Sequence, residues 1–379
     1  MRFLIVNEDD IASGVTTDKY FLWTEEVLRS KGLNPRVVAE VTTSTWGIFV
    51  GVNDVLRLLE GRNVDVYSMP EGCLFFPHEP VLTIVGKYLE FARFETAILG
   101  FICHPSAVAT QAFKFKLASG KKILSFGTRR MHPALSAVIE RSAYIGGVDG
   151  VSNFSAEKYL GIESVGTMPH ALIICFGDQV EAWKSYDEVV DERVPRIMLV
   201  DTYYDEKTEA ILAVENVDRV DGVRLDTPSS RRGDMRKIVE EVRWELDVRG
   251  RRDVKIVVSG GLSLRDVVEL SDVVDVFGVG TAIAGAKPID FAMDIVEVEG
   301  RFAAKRGKRG GMKQVYRVWD ELRDEIKLFG ERGEGEPLIQ KVMENGRILK
   351  TFDLHESRDL VLRQMEIVRR LGIEERFLN

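Results

Sequence analysis

A chain of 379 residues with 52 basic and 60 acidic side chains carries a formal net charge of −8, which excludes a uniformly basic nucleic-acid binder. At 45% hydrophobic content, its length predicts two or three domains with large cores and excludes a disordered polymer. Cys73, Cys103 and Cys175 lack the spacing of a disulfide framework or a four-thiolate zinc site, and the start MRFLIVNEDDIAS lacks the pattern of a signal peptide, so a cytoplasmic protein with no membrane partner is expected.

In chain order, residues 1–120 predict an α+β domain. The segments 35–41 and 64–68 alternate like half-buried strands, and 45–60 places Ile48, Val52, Val55, Leu56 and Leu59 on one helical stripe. The Pro-punctuated stretch 72–86 predicts β structure, and 88–118 predicts two helices broken near His104-Pro105. From about residue 121, short apolar strands alternate with helical stretches, the rhythm of a parallel sheet with crossover helices. These strands are 122–126, 147–152, 197–200, 222–225, 254–259 and 274–279, with 163–165 a weaker seventh, and 236–249 predicts an amphipathic helix. The expected units are 1–120, a (β/α) barrel over 121–286, and a charged C-terminal helical extension over 321–379. Only 8 Asn and 5 Gln stand against 30% charged residues, a bias expected of a thermophile protein.

Small, polar and charged residues recur at the C-terminal end of each barrel strand. In order they are Gly127-Thr-Arg-Arg130, Asn153-Phe-Ser155, Gly166-Thr-Met-Pro-His170, Asp201-Thr-Tyr203, Asp226-Thr227, Ser259-Gly-Gly-Leu262 and Gly278-Val-Gly-Thr281. Such residues are ordinary turn and cap formers, but a (β/α) barrel also builds its active site from these loops. Ser259, Gly260 and Gly261, with Gly278, Gly280 and Thr281, follow strands and precede helices, where backbone N–H groups can approach a phosphate. Asp201 and Asp226 end neighbouring strands and would hold a divalent cation, bind ribose hydroxyls or cap helices. Arg224 lies on the same side of its strand as Asp226, as a structural ion pair or a phosphate clamp. Arg129 and Arg130 form a forked donor pair suited to a carboxylate or phosphate. His170 begins a helix at the same rim, as a packing residue or a reacting one.

These residues resemble the nicotinate phosphoribosyltransferases. The similarity runs through Thr17-Asp-Lys-Tyr20, Pro70-Glu-Gly72 with Phe76-Pro-His-Glu-Pro80, Glu95-Thr-Ala-Ile-Leu99, Phe126-Gly-Thr-Arg-Arg130, Gly166-Thr-Met-Pro-His170, Asp201-Thr-Tyr203, Val223-Arg-Leu-Asp-Thr227, Ser259-Gly-Gly261 and the tail Ala304-Lys-Arg-Gly307 with Lys313-Gln-Val-Tyr316. The resemblance, with an archaeal-like member, implies an N-terminal α/β sandwich completed by about 287–320 and an irregular (β/α) barrel of the type II phosphoribosyltransferases. It implies that nicotinate and phosphoribosyl pyrophosphate give nicotinate mononucleotide and pyrophosphate in NAD salvage. The glycine loops and Thr167 would hold phosphates, Arg224, Asp201 and Asp226 the ribose and pyrophosphate with Mg²⁺, Arg129 the nicotinate carboxylate, and Phe154 the ring. Asp18 and Tyr20 would complete a neighbouring subunit's site, implying a homodimer or a hexamer of dimers with shared active sites. His170 matches a histidine phosphorylated by ATP as co-substrate, which would make the enzyme formally a ligase and a phosphoprotein, although Ala171 replaces the small polar residue that common relatives carry. With no cysteine after Cys175, a C-terminal zinc knuckle could not use thiolates.

Two other readings stand beside this one. Thr128-Arg-Arg-Met-His-Pro133 also resembles a strand end of the quinolinate phosphoribosyltransferases, which decarboxylate their substrate; the Gly-Thr-Met-Pro-His element is absent from that family. A non-catalytic pyridine-nucleotide sensor would keep the fold but would not need His170.

Overall fold

The computed structural model describes residues 3–228, 230–231 and 233–378. Two sheets organise the chain. A seven-stranded antiparallel sheet runs in the order Arg301–Phe302, Ala292–Val298, Arg36–Thr42, Leu82–Lys87, Val64–Ser68, Gln340–Glu344 and Arg347–Ile348. The N-terminal domain is therefore finished by chain that returns after the barrel. A six-stranded parallel sheet runs Gly150–Val151, Lys122–Ser125, Val276–Val279, Lys255–Val258, Gly222–Leu225 and Ile197–Leu199. Together they form the expected mixed α/β architecture, an irregular barrel beside an α/β sandwich. The segment 163–165 forms no strand, but Val165 N–H donates to the Val151 carbonyl at 2.8 Å and extends the sheet edge.

Helix Glu95–Ser119 packs against both domains and is continuous, against the predicted break at Pro105. Proline removes one helical donor, leaving the Phe101 carbonyl without its usual partner. That carbonyl faces Gly51, where a Cβ would lie 1.9 Å from the oxygen, so the absent side chain makes room for the continuous helix. Ser106 and Thr110 on the next turns accept from Val50 N at 3.0 Å and Ile48 N at 2.9 Å and fix the helix to the N-terminal domain.

The predicted helix over 45–60 is shorter. Gly47–Ile48 is a strand paired with Leu74–Phe75, and the helix is Val52–Leu59, entered through Gly51 at φ 106°. Glycine there admits the left-handed backbone that turns strand into helix.

The C-terminal unit is not a helical extension. Lys313–Val318 pairs with Arg323–Leu328, and Gln340–Glu344 joins the N-terminal sheet beside Val64–Ser68. Part of the charge that suggested helix is pairing between strands, Asp324 with the buried cation Arg317 and Lys341 with Asp65. Arg317 is fully buried, with Nε 2.7 Å from Asp324 Oδ1 and Nη2 2.7 Å from the Leu74 carbonyl. Among the described residues beyond 350, only Leu354–Leu371 and the short Glu375–Leu378 are helical, and Gln364 on the former bonds both Leu74 N–H and the Gly72 carbonyl at 2.8 Å. Among the described residues no helix is long and apolar enough to cross a membrane.

Candidate active site

Because all six barrel strands run parallel, their C-terminal ends gather on one rim. His170, Asp201, Arg224, Asp226 and Ser259 meet there. Asp201 is nearly buried; its Oδ2 accepts from Asp226 N–H and Thr227 Oγ1, both at 3.0 Å, while its Oδ1 has no hydrogen bond. Burial accordingly holds its carboxyl above the usual range, against the opposing pull of His170 and Thr227. For Asp226 burial also pushes upward, but the neighbouring His170, the Arg224 charge and the Ser259 hydroxyl outweigh it, leaving the carboxyl below its ordinary value. Ser259 Oγ donates to Asp226 Oδ1 at 2.6 Å.

His170 is the first residue of helix His170–Phe176, entered through Pro169 in extended conformation. Its Nε2 lies 3.7 Å from Asp201 Oδ1 and 3.6 Å from Asp226 Oδ2, and its Nδ1 lies 3.1 Å from Thr202 Oγ1. The Asp226 carboxylate facing Nε2 raises the imidazole pKa, with burial and Arg224 opposing and Asp201 helping. The carboxylates at 3.6 and 3.7 Å lie beyond hydrogen-bond distance of Nε2, so in the neutral ring the 3.1 Å contact of Nδ1 with the Thr202 hydroxyl decides the tautomer, leaving the proton on Nε2 when the hydroxyl donates.

Of the two readings open for Arg224, the ion pair is formed. Its Nη1 reaches Ser259 Oγ at 3.1 Å and Asp226 Oδ1 at 3.3 Å, and its Nη2 the Met168 carbonyl at 3.1 Å, so the guanidinium ties two strands to the loop carrying Thr167 and His170. Gly260 has φ 95°, and a Cβ there would lie 2.6 Å from the Asp226 carbonyl oxygen; Gly261, at φ 72°, has open space around it. Gly280 and Thr281 lie at the rim where the next helix, Thr281–Ala284, begins. Gly278 does not: it is buried inside Val276–Val279, where a Cβ would lie 2.5 Å from the Phe126 ring, so its role there is packing.

Arg129 and Arg130 are exposed at the end of the turn Thr128–Arg130, and their guanidinium groups have no hydrogen-bond or ion-pair partner among the described residues. Phe154 is 70% exposed on the adjacent loop. The two loops are tied together by Asn153 Nδ2 donating to Thr128 Oγ1 at 3.1 Å, and Asn153 N–H donates to buried Glu140 at 3.0 Å. Asp18 and Tyr20 are elsewhere, on the N-terminal domain: Asp18 accepts from Thr96 Oγ1 at 2.9 Å and Tyr20 is 55% exposed. Neither is bonded to the rim within the chain.

Asn153 and Thr202 were named from sequence only as strand-end residues without a role, and Glu140 and Glu209 were passed over. Glu209 carried a detectable signal, since it interrupts the buried stripe of helix Glu206–Asn216 next to Ala210 and Ala213. A carboxylate on such a stripe must be paired.

Among the described residues no three His, Cys, Asp or Glu side chains have the arrangement of a protein-held metal centre. Mg²⁺ needs fewer, commonly one or two carboxylates with phosphate and water completing the shell. The buried, unbonded Asp201 Oδ1 beside Asp226 fits that demand.

Comparison with known proteins defines the class. Family models of the quinolinate phosphoribosyl transferase N-terminal and C-terminal domains match residues 18–106 and 108–294. A nicotinate phosphoribosyltransferase of Mycobacterium tuberculosis is 30% identical over 83% of this chain and 71% of its own, and that of Bacillus subtilis 33% identical over 70% and 59%. The crystal structure of nicotinate-nucleotide pyrophosphorylase from Pyrococcus furiosus is 52% identical, with a TM-score of 0.95 over 97% of this chain and 99% of its own. Human nicotinic acid phosphoribosyltransferase, 21% identical with a TM-score of 0.72 over 93% and 94%, shares the fold. The chain belongs to the nicotinate/quinolinate phosphoribosyltransferase family. It is a glycosyl-transferring enzyme of NAD biosynthesis, which sets aside the non-catalytic sensor.

Proposed function

We propose that the chain joins nicotinate to phosphoribosyl pyrophosphate, releasing pyrophosphate and forming nicotinate mononucleotide. The observation carrying this choice is the Gly166–His170 element, whose histidine sits between Asp201 and Asp226. Nicotinate phosphoribosyltransferases at 30% and 33% identity support it.

In this reaction the pyridine nitrogen forms a bond to the ribose anomeric carbon as the bond to the pyrophosphate oxygen breaks, the ring nitrogen becoming cationic. Positive charge gathers on the ribose in between, and catalysis is mainly orientation and charge stabilisation. Asp201 and Asp226 provide negative charge at that point. Arg129 would fix the nicotinate carboxylate and Phe154 offers a face for the ring, with Arg130 and Thr167 beside the phosphates. The backbone at Ser259, Gly260, Gly261, Gly280 and Thr281 can approach the 5′-phosphate. Asp201 and Asp226 would hold Mg²⁺, which when bound neutralises pyrophosphate charge. ATP acts as co-substrate by phosphorylating His170, and Asp18 and Tyr20 serve the site of a second copy in a dimer.

Incubation with nicotinate and phosphoribosyl pyrophosphate, followed by mass spectrometry, tests the proposal. Nicotinate mononucleotide is expected; no nucleotide with or without ATP would remove it. Quinolinate is the second reading, favoured by the two quinolinate-type family models covering both domains.

A further inference from the structure

We propose that Glu209 is a positioning residue that holds Thr202 against His170 and so sets the orientation and tautomer of the imidazole; this rests on His170 being a working group of the proposed reaction. Glu209 is fully buried, and its carboxylate accepts from three consecutive backbone N–H groups: Thr202 at 3.0 Å, Tyr203 at 2.6 Å and Tyr204 at 2.8 Å. These amides follow the end of strand Ile197–Leu199 and belong to no helix or sheet, so without Glu209 they would need water or would remain unpaired. Side-chain packing does not hold the loop in their place, because Tyr203 and Tyr204 are 45% and 62% exposed.

The anchor itself is fixed. Asp205 caps the helix that carries Glu209 by accepting from Thr208 N–H at 3.0 Å, and Glu206 on the first turn shares the single hydroxyl proton of Thr227 with Asp201. A continuous path therefore runs from Glu209 through the 202–204 backbone to Thr202 Oγ1 and on to His170 Nδ1 at 3.1 Å. A carboxylate suits this place better than an amide. It is an acceptor at both oxygens, whereas glutamine would turn an NH₂ toward at least one backbone N–H.

The test combines Glu209→Gln, Thr202→Val, the double variant and Thr202→Ser, read by steady-state kinetics and by ¹⁵N NMR of the His170 ring. Each of the first two should lower kcat about tenfold with the nicotinate KM within about twofold of wild type. The double variant should be no worse than the poorer single variant, because both act through one contact. In the neutral wild-type ring the proton should reside on Nε2; Glu209→Gln and Thr202→Val should show mixed tautomers, and Thr202→Ser should restore the wild-type pattern. Unchanged kcat in Glu209→Gln, multiplicative losses in the double variant, or a destabilised Glu209→Gln with a wild-type His170 spectrum would each overturn the proposal. If Glu209→Gln does not fold, the Thr202 pair decides: equal tautomer populations in Val and Ser variants would overturn it. Wild-type protein inactive with nicotinate refutes the reaction, while the spectra still report on the Glu209–Thr202–His170 link.

Discussion

Gly260→Ala isolates how closely the glycine loop must lie against the catalytic strand end. The new methyl would sit 2.6 Å from the Asp226 carbonyl oxygen, where ordinary contacts begin at 3.4 Å, so one backbone must yield by about 0.8 Å. The positive φ adds about 1–2 kcal/mol of strain. Gly261→Ala is the control, since its φ of 72° carries the same strain but its Cβ meets nothing within 4 Å. Gly261→Ala should lose about 1–2 kcal/mol in urea denaturation and Gly260→Ala more, because a backbone must also move. Only Gly260→Ala should displace Asp226, and a misplacement approaching 1 Å costs up to about 100-fold, so its kcat with nicotinate and phosphoribosyl pyrophosphate should fall about 10- to 100-fold. Activity within twofold of wild type for Gly260→Ala, or equal kcat losses in both variants, would refute the reasoning.

Glu140 is fully buried, and burial pushes its carboxyl up from 4.5 to about 7, against the Asn153 N–H that it accepts and the neighbouring Ser152 backbone and Ser125 and Thr128 side chains. The folded state therefore keeps this proton where the unfolded chain has lost it, and stability falls as pH rises from about 4.5 through about 7. Relative to Glu140→Gln, wild type should lose about 3 kcal/mol between pH 4.5 and 8, measured by denaturant titration; parallel pH curves would contradict this. His170→Ala should retain slow transfer and lose ATP stimulation in a coupled pyrophosphate assay, and equal stimulation in both proteins would remove the phosphohistidine. Gln364→Ala leaves Leu74 N–H, the Gly72 carbonyl and part of Arg317 without a buried partner. It should cost about 1–3 kcal/mol in urea denaturation without changing the nicotinate KM, and a neutral effect would show that water replaces the side chain.

The barrel was legible because its strands are apolar runs of the right length, buried on both faces, with polar residues concentrated at one end. Direction in a parallel sheet then brought His170, Asp201, Asp226 and Ser259 together without further information. What was hidden depended on contacts distant in sequence. Ile48 fits a helical stripe by spacing, yet it is buried because Gly47–Ile48 pairs with Leu74–Phe75. The helix through Pro105 survives because Gly51 leaves room for a carbonyl some fifty residues away. The charged segment after residue 321 read as helix because charges such as Asp324 and Arg323 are placed by pairing with Arg317 and Glu334, not by a solvent face. Gly278 resembled a phosphate-loop glycine until its neighbour proved to be the Phe126 ring.

The most direct measurement is a competition between nicotinate and quinolinate for limiting phosphoribosyl pyrophosphate on the same protein, with nucleotide product and carbon dioxide both followed. The account predicts a higher kcat/KM for nicotinate and mononucleotide formed without carbon dioxide. Preference for quinolinate, with one carbon dioxide released per nucleotide, would contradict it.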